Sequence, residues 1–235
     1  MKKIILVNAI ALFAATLWAA ESEDVKAAAK KLADQKNYSW KTTVVVPEGS
    51  QFRPGPTEGK TEKEGYTLLS MSLRDNTMEA VLKGEKGAAK VEGEWRTLAE
   101  MAEDQGMGSF MAARLKSYRT PAVEAGELAG QTKDLKKDGD AFAADLTEEG
   151  AKDLLRFRGR RAGGDSPPAP KNAKGSVKFW VKDGQLAKYE YKVSGTVSFG
   201  GEDRDVERTT TIEIKEVGTT KIEVPEEAKK KLGAT

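Results

Sequence analysis

Two residue types behind much protein chemistry are missing: this chain of 235 residues has no cysteine and no histidine. That excludes thiolate nucleophiles, disulfides, Cys/His zinc sites and Ser-His-Asp relays. Carboxylates remain. Glu190 and Glu213 are the candidates for acid–base work, yet both alternate with apolar neighbours on a strand pattern. They therefore belong to a wet face, where nothing raises a carboxyl pKa. Asp138, Asp140 and Asp145 lack the spacing and terminal glutamate of a calcium loop, and Asp138-Gly139 is an ordinary hairpin dipeptide. The reading is a chain without enzymatic activity, cofactor or metal. What the residues do offer is anion contact by arginine, which meets carboxylate and phosphate through two parallel hydrogen bonds. Arg53 lies in a loop with Pro54-Gly55-Pro56. Arg158 and Arg160 belong to a cluster with Arg156 and Arg161. These three, Arg53, Arg158 and Arg160, are the expected headgroup or anion contacts. A solvated surface is the competing account of the cluster.

The elements that must position such contacts read from the other end of the chain. From Tyr189 to Phe199 every second residue is apolar or glycine: Tyr189, Tyr191, Val193, Gly195, Val197 and Phe199. Lys188, Glu190, Lys192, Ser194, Thr196 and Ser198 lie between them. This is period-2 alternation, extended back to Ala187, and it predicts a long half-buried strand. Asp183-Gly184 before it is a hairpin turn, and Val177, Phe179 and Val181 face the same way on the preceding strand. After Gly200-Gly201, Val206, Thr210, Ile212 and Ile214 continue the apolar side. Upstream, Tyr38, Trp40, Thr42, Val44 and Val46 share one strand face. Turns at about ten-residue spacing between Gly59 and Trp95 predict three or four short strands. Thr67, Leu69, Met71 and Leu73 line one of them. Residues 97–130 change to helical spacing, and two or three short helices are expected to cover the open side of the sheet, with Met101, Met107 and Met111 as adaptable packing residues. Thr147 reads as the N-cap of a further short helix. A last short strand through Ile222 and Val224, stopped by Pro225, completes the pattern.

The N-terminus reads as a secretory signal: Lys2-Lys3, an apolar run from Ile4 to about Thr16, then small residues at Ala19-Ala20. Lys2 and Lys3 account for the whole formal charge of +2. Without them the sign is balanced, which removes any global argument for nucleic acid or an anionic membrane. The expected organisation is a signal peptide over 1–20 and a single antiparallel-sheet domain over 21–235, with a mobile Arg/Gly/Pro-rich loop at 156–174. Localisation is then secreted or periplasmic, with no transmembrane span after cleavage.

The turn Trp180-Val181-Lys182-Asp183-Gly184 and the segment from Gly218 to Val224 ending at Pro225 resemble the lipoprotein-carrier superfamily, the LolA/LolB-like and mycobacterial LppX-like envelope proteins. The resemblance implies an α+β fold: a strongly curved antiparallel sheet, an unclosed half-barrel, with short helices covering the open side over an apolar cavity. The lipobox cysteine of the lipidated members is missing here, and no carrier's functional residues align.

The function expected is a periplasmic or envelope carrier or binder of a lipid or other apolar ligand in a cavity between sheet and helices. Trp40, Val44, Leu69, Met71, Tyr191, Val193, Phe199 and Ile212 are its expected lining. The alternative is a non-catalytic structural or protein-interaction module of the envelope with a dry core, whose partner is another envelope protein. One-sided strands suit both readings, because any sheet covered by helices shows them. The export reading has a direct test. Protein recovered from its native host should begin near Ala20 or Glu21 by N-terminal sequencing; an intact Met1 in a soluble cytosolic pool would overturn it.

Overall fold

The computed structural model describes residues 8–50, 53–73, 76–104, 106–156, 168–199 and 201–233. Helix α1 (Asn8–Ala33) leads into strand β1 (Asn37–Val45). Five short strands follow: β2 (Thr57–Glu62), β3 (Thr67–Leu73), β4 (Asn76–Lys83), β5 (Lys86–Val91) and β6 (Glu94–Thr97). Three helices come next, α2 (Leu98–Ala102), α3 (Met107–Lys116) and α4 (Pro121–Gly130). Then come β7 (Thr132–Asp138), β8 (Ala141–Leu146) and α5 (Glu148–Leu155). The long strands β9 (Lys171–Lys182), β10 (Gln185–Phe199) and β11 (Glu202–Lys215) precede a terminal α6 (Glu226–Lys231). All eleven strands form one antiparallel sheet in the order β6-β5-β4-β3-β2-β1-β11-β10-β9-β8-β7, and the end strands do not meet. The architecture is the α+β curved half-barrel expected of the sequence.

The alternation does what period 2 requires. Tyr189, Tyr191, Val193 and Val197 are buried on the concave side with Ile212, and Ile214 is half-buried. Lys192 points the other way and pairs with Glu207 at 2.8 Å. On that outer side Lys188 lies over the Trp180 ring, 4.4 Å from its centroid. Glu190, half-buried there, accepts a hydrogen bond from Thr211 at 2.8 Å, and Glu213 is exposed. The concave side is covered by α1, through Val25, Ala28, Ala29 and Leu32, and by Met101, Met111, Leu115, Ala125 and Leu128 of the mid-chain helices. Thr147 caps α5 by accepting from Gly150 N–H at 3.1 Å.

Four expectations need correction. The stripe does not begin at Ala187, which is exposed; a bulge between Leu186 and Lys188 resets the register and buries Leu186 in its place. A bulge adds one residue to one strand, so parity changes across it. The segment holding Ile222 and Val224 is not a strand. Both long neighbours of β11 are already paired, so this segment crosses to the convex face, where Val224 packs with Val81, Ala88, Trp95, Ala228 and Leu232. That small second core under α6 was not foreseen. Met107 is 71% exposed at the start of α3, while Met101 and Met111 are core. Strand β9 starts at Lys171, inside the stretch read as loop, of which 157–167 lie outside the described residues.

Helix α2 joins the two layers. The Thr97 hydroxyl accepts from Glu100 N–H at 3.1 Å, and the Glu100 carboxylate accepts from Thr97 N–H at 2.6 Å and from Lys231 of α6 at 3.0 Å. This is a capping box with an added cation. These donors, the Thr97 N–H first and Lys231 next, pull the Glu100 carboxyl down from 4.5 to about 2. A carboxyl depressed by folding stabilises fully above its unfolded pKa and loses that contribution as pH falls through the folded value. Glu100→Gln should therefore lower the melting temperature at neutral pH. The difference from wild type should vanish as pH is taken from 4.5 down to about 2. A difference independent of pH would assign the effect to shape alone.

Candidate functional site

The concave face is aromatic at its centre. Trp40 on β1 lies opposite Gly59, where a Cβ would come within 2.0 Å of the indole. Only glycine leaves room for the ring to lie flat across β2. Tyr38 and Tyr118 flank Trp40, with ring centroids 5.6 and 6.5 Å away. Two strands over, Phe179 and Tyr189 stack at 6.2 Å. Aromatic side chains combine a large apolar surface with a polar tip that needs a partner when buried.

Those tips hold helix α4 to the sheet. The residue before α4, Thr120, makes no side-chain cap to the helix, and Pro121 follows at its first position. The Tyr38 phenol instead receives Ala122 N–H at 3.4 Å, so a strand residue performs the capping. Tyr189 donates to the Glu124 carboxylate at 2.5 Å, two residues further along. Ser22 of α1 donates to Ala129 O at 3.2 Å, at the other end of α4. Burial raises the pKa of Tyr38, Tyr118 and Tyr189; for the last two the nearby Glu124 carboxylate adds to the effect. All three phenols are therefore neutral at physiological pH.

Two buried polar atoms stand out. Among the described residues, the Thr210 hydroxyl, in a residue 3% exposed, has no hydrogen-bond partner. The Trp40 indole N–H is also buried without a well-formed hydrogen bond, with the Tyr118 phenol in its range. Thr210 lies opposite Tyr191 on one side and Val44 on the other, in the middle of the apolar stripe. Two positions along β11 and on the same face is Arg208, opposite Val193. Its guanidinium donates to Leu154 O near the end of α5.

Of the expected lining residues, the structure brings Trp40, Leu69, Met71, Tyr191, Val193 and Ile212 into one buried cluster, with Val44 half-buried on the same strand face as Trp40. The Phe199 side chain lies outside the described residues, as do Arg158 and Arg160. Arg53 is exposed in the loop before β2. The lining is filled by helix side chains. A groove of about 530 Å³ opens beside Trp95, Glu227, Lys230 and Lys231 and is not lined by the stripe. A cleft of about 20 Å³ lies between α4 and α5 beside Glu124 and Leu154, room for one water.

Sequence reasoning missed Glu124 and Arg208, and each left a signal. Glu124 is three residues after buried Pro121 and four before buried Leu128, so it shares their helix face. Arg208 occupies the apolar parity of β11 between Val206 and Thr210. A charge at a position that periodicity assigns to the core marks a buried polar contact.

No protein-family model and no curated protein matches the chain. Among solved structures, it is similar to the Mycobacterium tuberculosis lipoprotein LppX, at 9% identity and a TM-score of 0.47 over 88% of this chain and 99% of that one. It is similar to LprF from Mycobacterium bovis, at 11% identity and 0.48 over 89% and 98%. A LolA superfamily protein from Nitrosomonas europaea follows, at 10% identity and 0.35 over 86% and 94%. The resemblance carried by the 180–184 turn and the 218–225 segment names the same group. Identities this low transfer no residue role.

The fastening of α4 is open to measurement. Tyr189→Phe should destabilise by about 1–3 kcal/mol in denaturant titration, because the Glu124 carboxylate then loses its buried donor. A change inside about 0.5 kcal/mol, the size of a surface substitution, would show that α4 does not depend on this bond.

Proposed function

We propose that this chain is an exported envelope protein without catalytic activity that binds a lipid or another apolar ligand between the concave sheet face and helices α1, α3 and α4, which lift to admit it. Export rests on the N-terminal pattern of Lys2-Lys3, apolar run and small residues. The observation that carries the binding reading is the unpartnered Thr210 hydroxyl at the centre of an otherwise apolar stripe. Native interiors rarely leave such a group unmatched, and one that persists calls for an explanation. A ligand carrying an acceptor or donor within its apolar body supplies one. The cover supports the same reading. Helix α4 is held by phenol and carboxylate hydrogen bonds as well as by apolar contact, and these groups regain water when the helix lifts, so opening costs less than exposing an all-apolar face.

A dry interaction module is the second reading. It is favoured by the burial of the stripe, with Tyr189, Phe179 and Val193 all 0% exposed under the helices. The two readings part on ligand uptake. Titration of the neutral apolar dye N-phenyl-naphthylamine into purified protein should give saturable fluorescence enhancement. Tyr191→Asp should abolish it while far-UV circular dichroism is kept. Thr210→Val fills the same volume without the hydroxyl, so it should raise the melting temperature and leave dye binding intact. No saturable uptake by the wild type would establish the packed module instead.

A further inference from the structure

The sheet ends differently at its two edges. Among the described residues β7 pairs only with β8, and β6 only with β5. An edge strand offers unpaired N–H and C=O groups to any other strand, and lysines or a bulge are the usual protection. Strand β7 has both: Lys133, Lys136 and Lys137 are exposed on it, and its register shifts between Lys133 and Lys136. Strand β6, Glu94-Trp95-Arg96-Thr97, has no lysine, and its register with β5 is unbroken.

The outward groups of β6 follow from its turn. Glu92 and Gly93, both at positive φ (52° and 91°), form a two-residue hairpin loop between Val91 and Glu94. The pair that closes such a loop is hydrogen-bonded, and bonded pairs then alternate along the ladder. Glu94 and Arg96 therefore bond to β5, while the N–H and C=O of Trp95 and Thr97 point away from it. The Thr97 N–H agrees, since it donates to the Glu100 carboxylate at 2.6 Å. The same carboxylate accepts from Lys231 at 3.0 Å. Glu100 belongs to α2 on the concave side and Lys231 to α6 on the convex side, so the two meet around the edge of the sheet. The Thr97 N–H first and Lys231 next hold the Glu100 carboxyl down at about 2, which keeps it charged in mild acid.

A second copy of the chain carries a strand that fits this edge. With two β6 strands antiparallel about a two-fold axis at Trp95, each Trp95 exchanges both main-chain bonds with its counterpart. Glu94 then stands opposite Arg96, an attractive cross-strand pair. The next donor outward is the Thr97 N–H, opposite Gly93 of the other strand, and Glu100 already occupies it. We propose that Glu100, held in place by Lys231, is an edge guard that withholds the Thr97 N–H from the β6 strand of a second copy and so keeps the protein from joining sheet to sheet. The inference does not depend on ligand binding.

The test is self-association, followed by analytical ultracentrifugation at rising concentration, with each fold checked by circular dichroism. Glu100→Ala frees the Thr97 N–H and should tighten the dimer by about tenfold or more, the worth of the regained edge bonds. Lys231→Ala leaves the carboxylate on Thr97 and should have a smaller effect. Glu100→Gln, a weaker acceptor, should fall between wild type and Glu100→Ala, and it carries the test should Glu100→Ala fail to fold. Thr147→Ala removes the α5 cap away from the edge and should leave association unchanged. The deciding variant joins Glu100→Ala to Thr97→Pro. Thr97 sits at a φ of −67°, which proline adopts, and its N–H lies outside the ladder with β5, so proline removes the freed donor at no cost in sheet bonds. Association should return to the wild-type level although the capping box is gone. Wild-type association in folded Glu100→Ala and Glu100→Gln would overturn the guard. Equal association by Thr147→Ala would assign the effect to general loosening and overturn it too. Association of Glu100→Ala that survives Thr97→Pro would place the contact elsewhere. A wild type that already dimerises with the Trp95 amide protected from hydrogen exchange would show an edge in use, and the guard would fall.

Discussion

The register of β10 between β9 and β11 is the constraint on which the rest depends. Side chains alternate faces with period 2, so a slip by one residue would turn Tyr189, Tyr191 and Val193 to water and bring Lys188 and Lys192 inside. The observed pairing sets Tyr189 against Phe179 and Ile212, and Tyr191 against Val177 and Thr210. The same pairing decides that Arg208 faces the helices, opposite Val193. One register therefore defines both the apolar lining and the position of its charged edge. The bulges at Leu186/Lys188 and Ser194/Thr196 let a strand this long stay in register while the sheet curves.

Above that face the molecule uses polar fastenings where apolar ones would have served stability better. Replacing buried polar pairs with well-packed hydrophobes is often neutral or stabilising. Yet α4 is tied down by Tyr38 and Tyr189, and a threonine hydroxyl is left unmatched beneath the cover. Each feature weakens the seal between the layers without weakening either layer. The sheet keeps its continuous ladder, and α2 and α5 keep their threonine caps. Departures from local rules of this sort concentrate at functional sites, where stability is given up for another purpose.

Much of this arrangement was legible in the sequence, for reasons that differ by element. The meander of β9, β10 and β11 was readable because strict alternation and the Asp183-Gly184 turn act locally. The mid-chain helices were readable by spacing, and the Thr147 cap by type. The convex core was not, since Val224, Ala228 and Leu232 are few, and only the complete strand order sends them to the far side. The lining residues Trp40, Leu69 and Met71 could be named as one face of their strands. Their neighbours across the interface could not, because the pairing of Tyr189 with Glu124 joins positions 65 apart. Arg208 was visible as a charge at an apolar parity. Its hydrogen bond to Leu154 O, 54 positions away, is a fact of tertiary packing alone.

These features set the terms on which an apolar ligand could enter. The helices already bury the stripe, so an incoming chain gains only the difference between its own contacts and the helical ones it displaces. Burial yields roughly 0.8 kcal/mol per methylene, but the displaced Met111, Leu115 and Leu128 must find cover or meet water. A bilayer offers the same chain comparable burial. Association itself costs about 4–15 kcal/mol. The apolar terms thus nearly cancel, and what remains is what the closed protein lacks among its described residues: a partner for the Thr210 hydroxyl. Selectivity, on this account, resides in a few polar atoms at the centre of the stripe, while the stripe sets only the kind of molecule that fits.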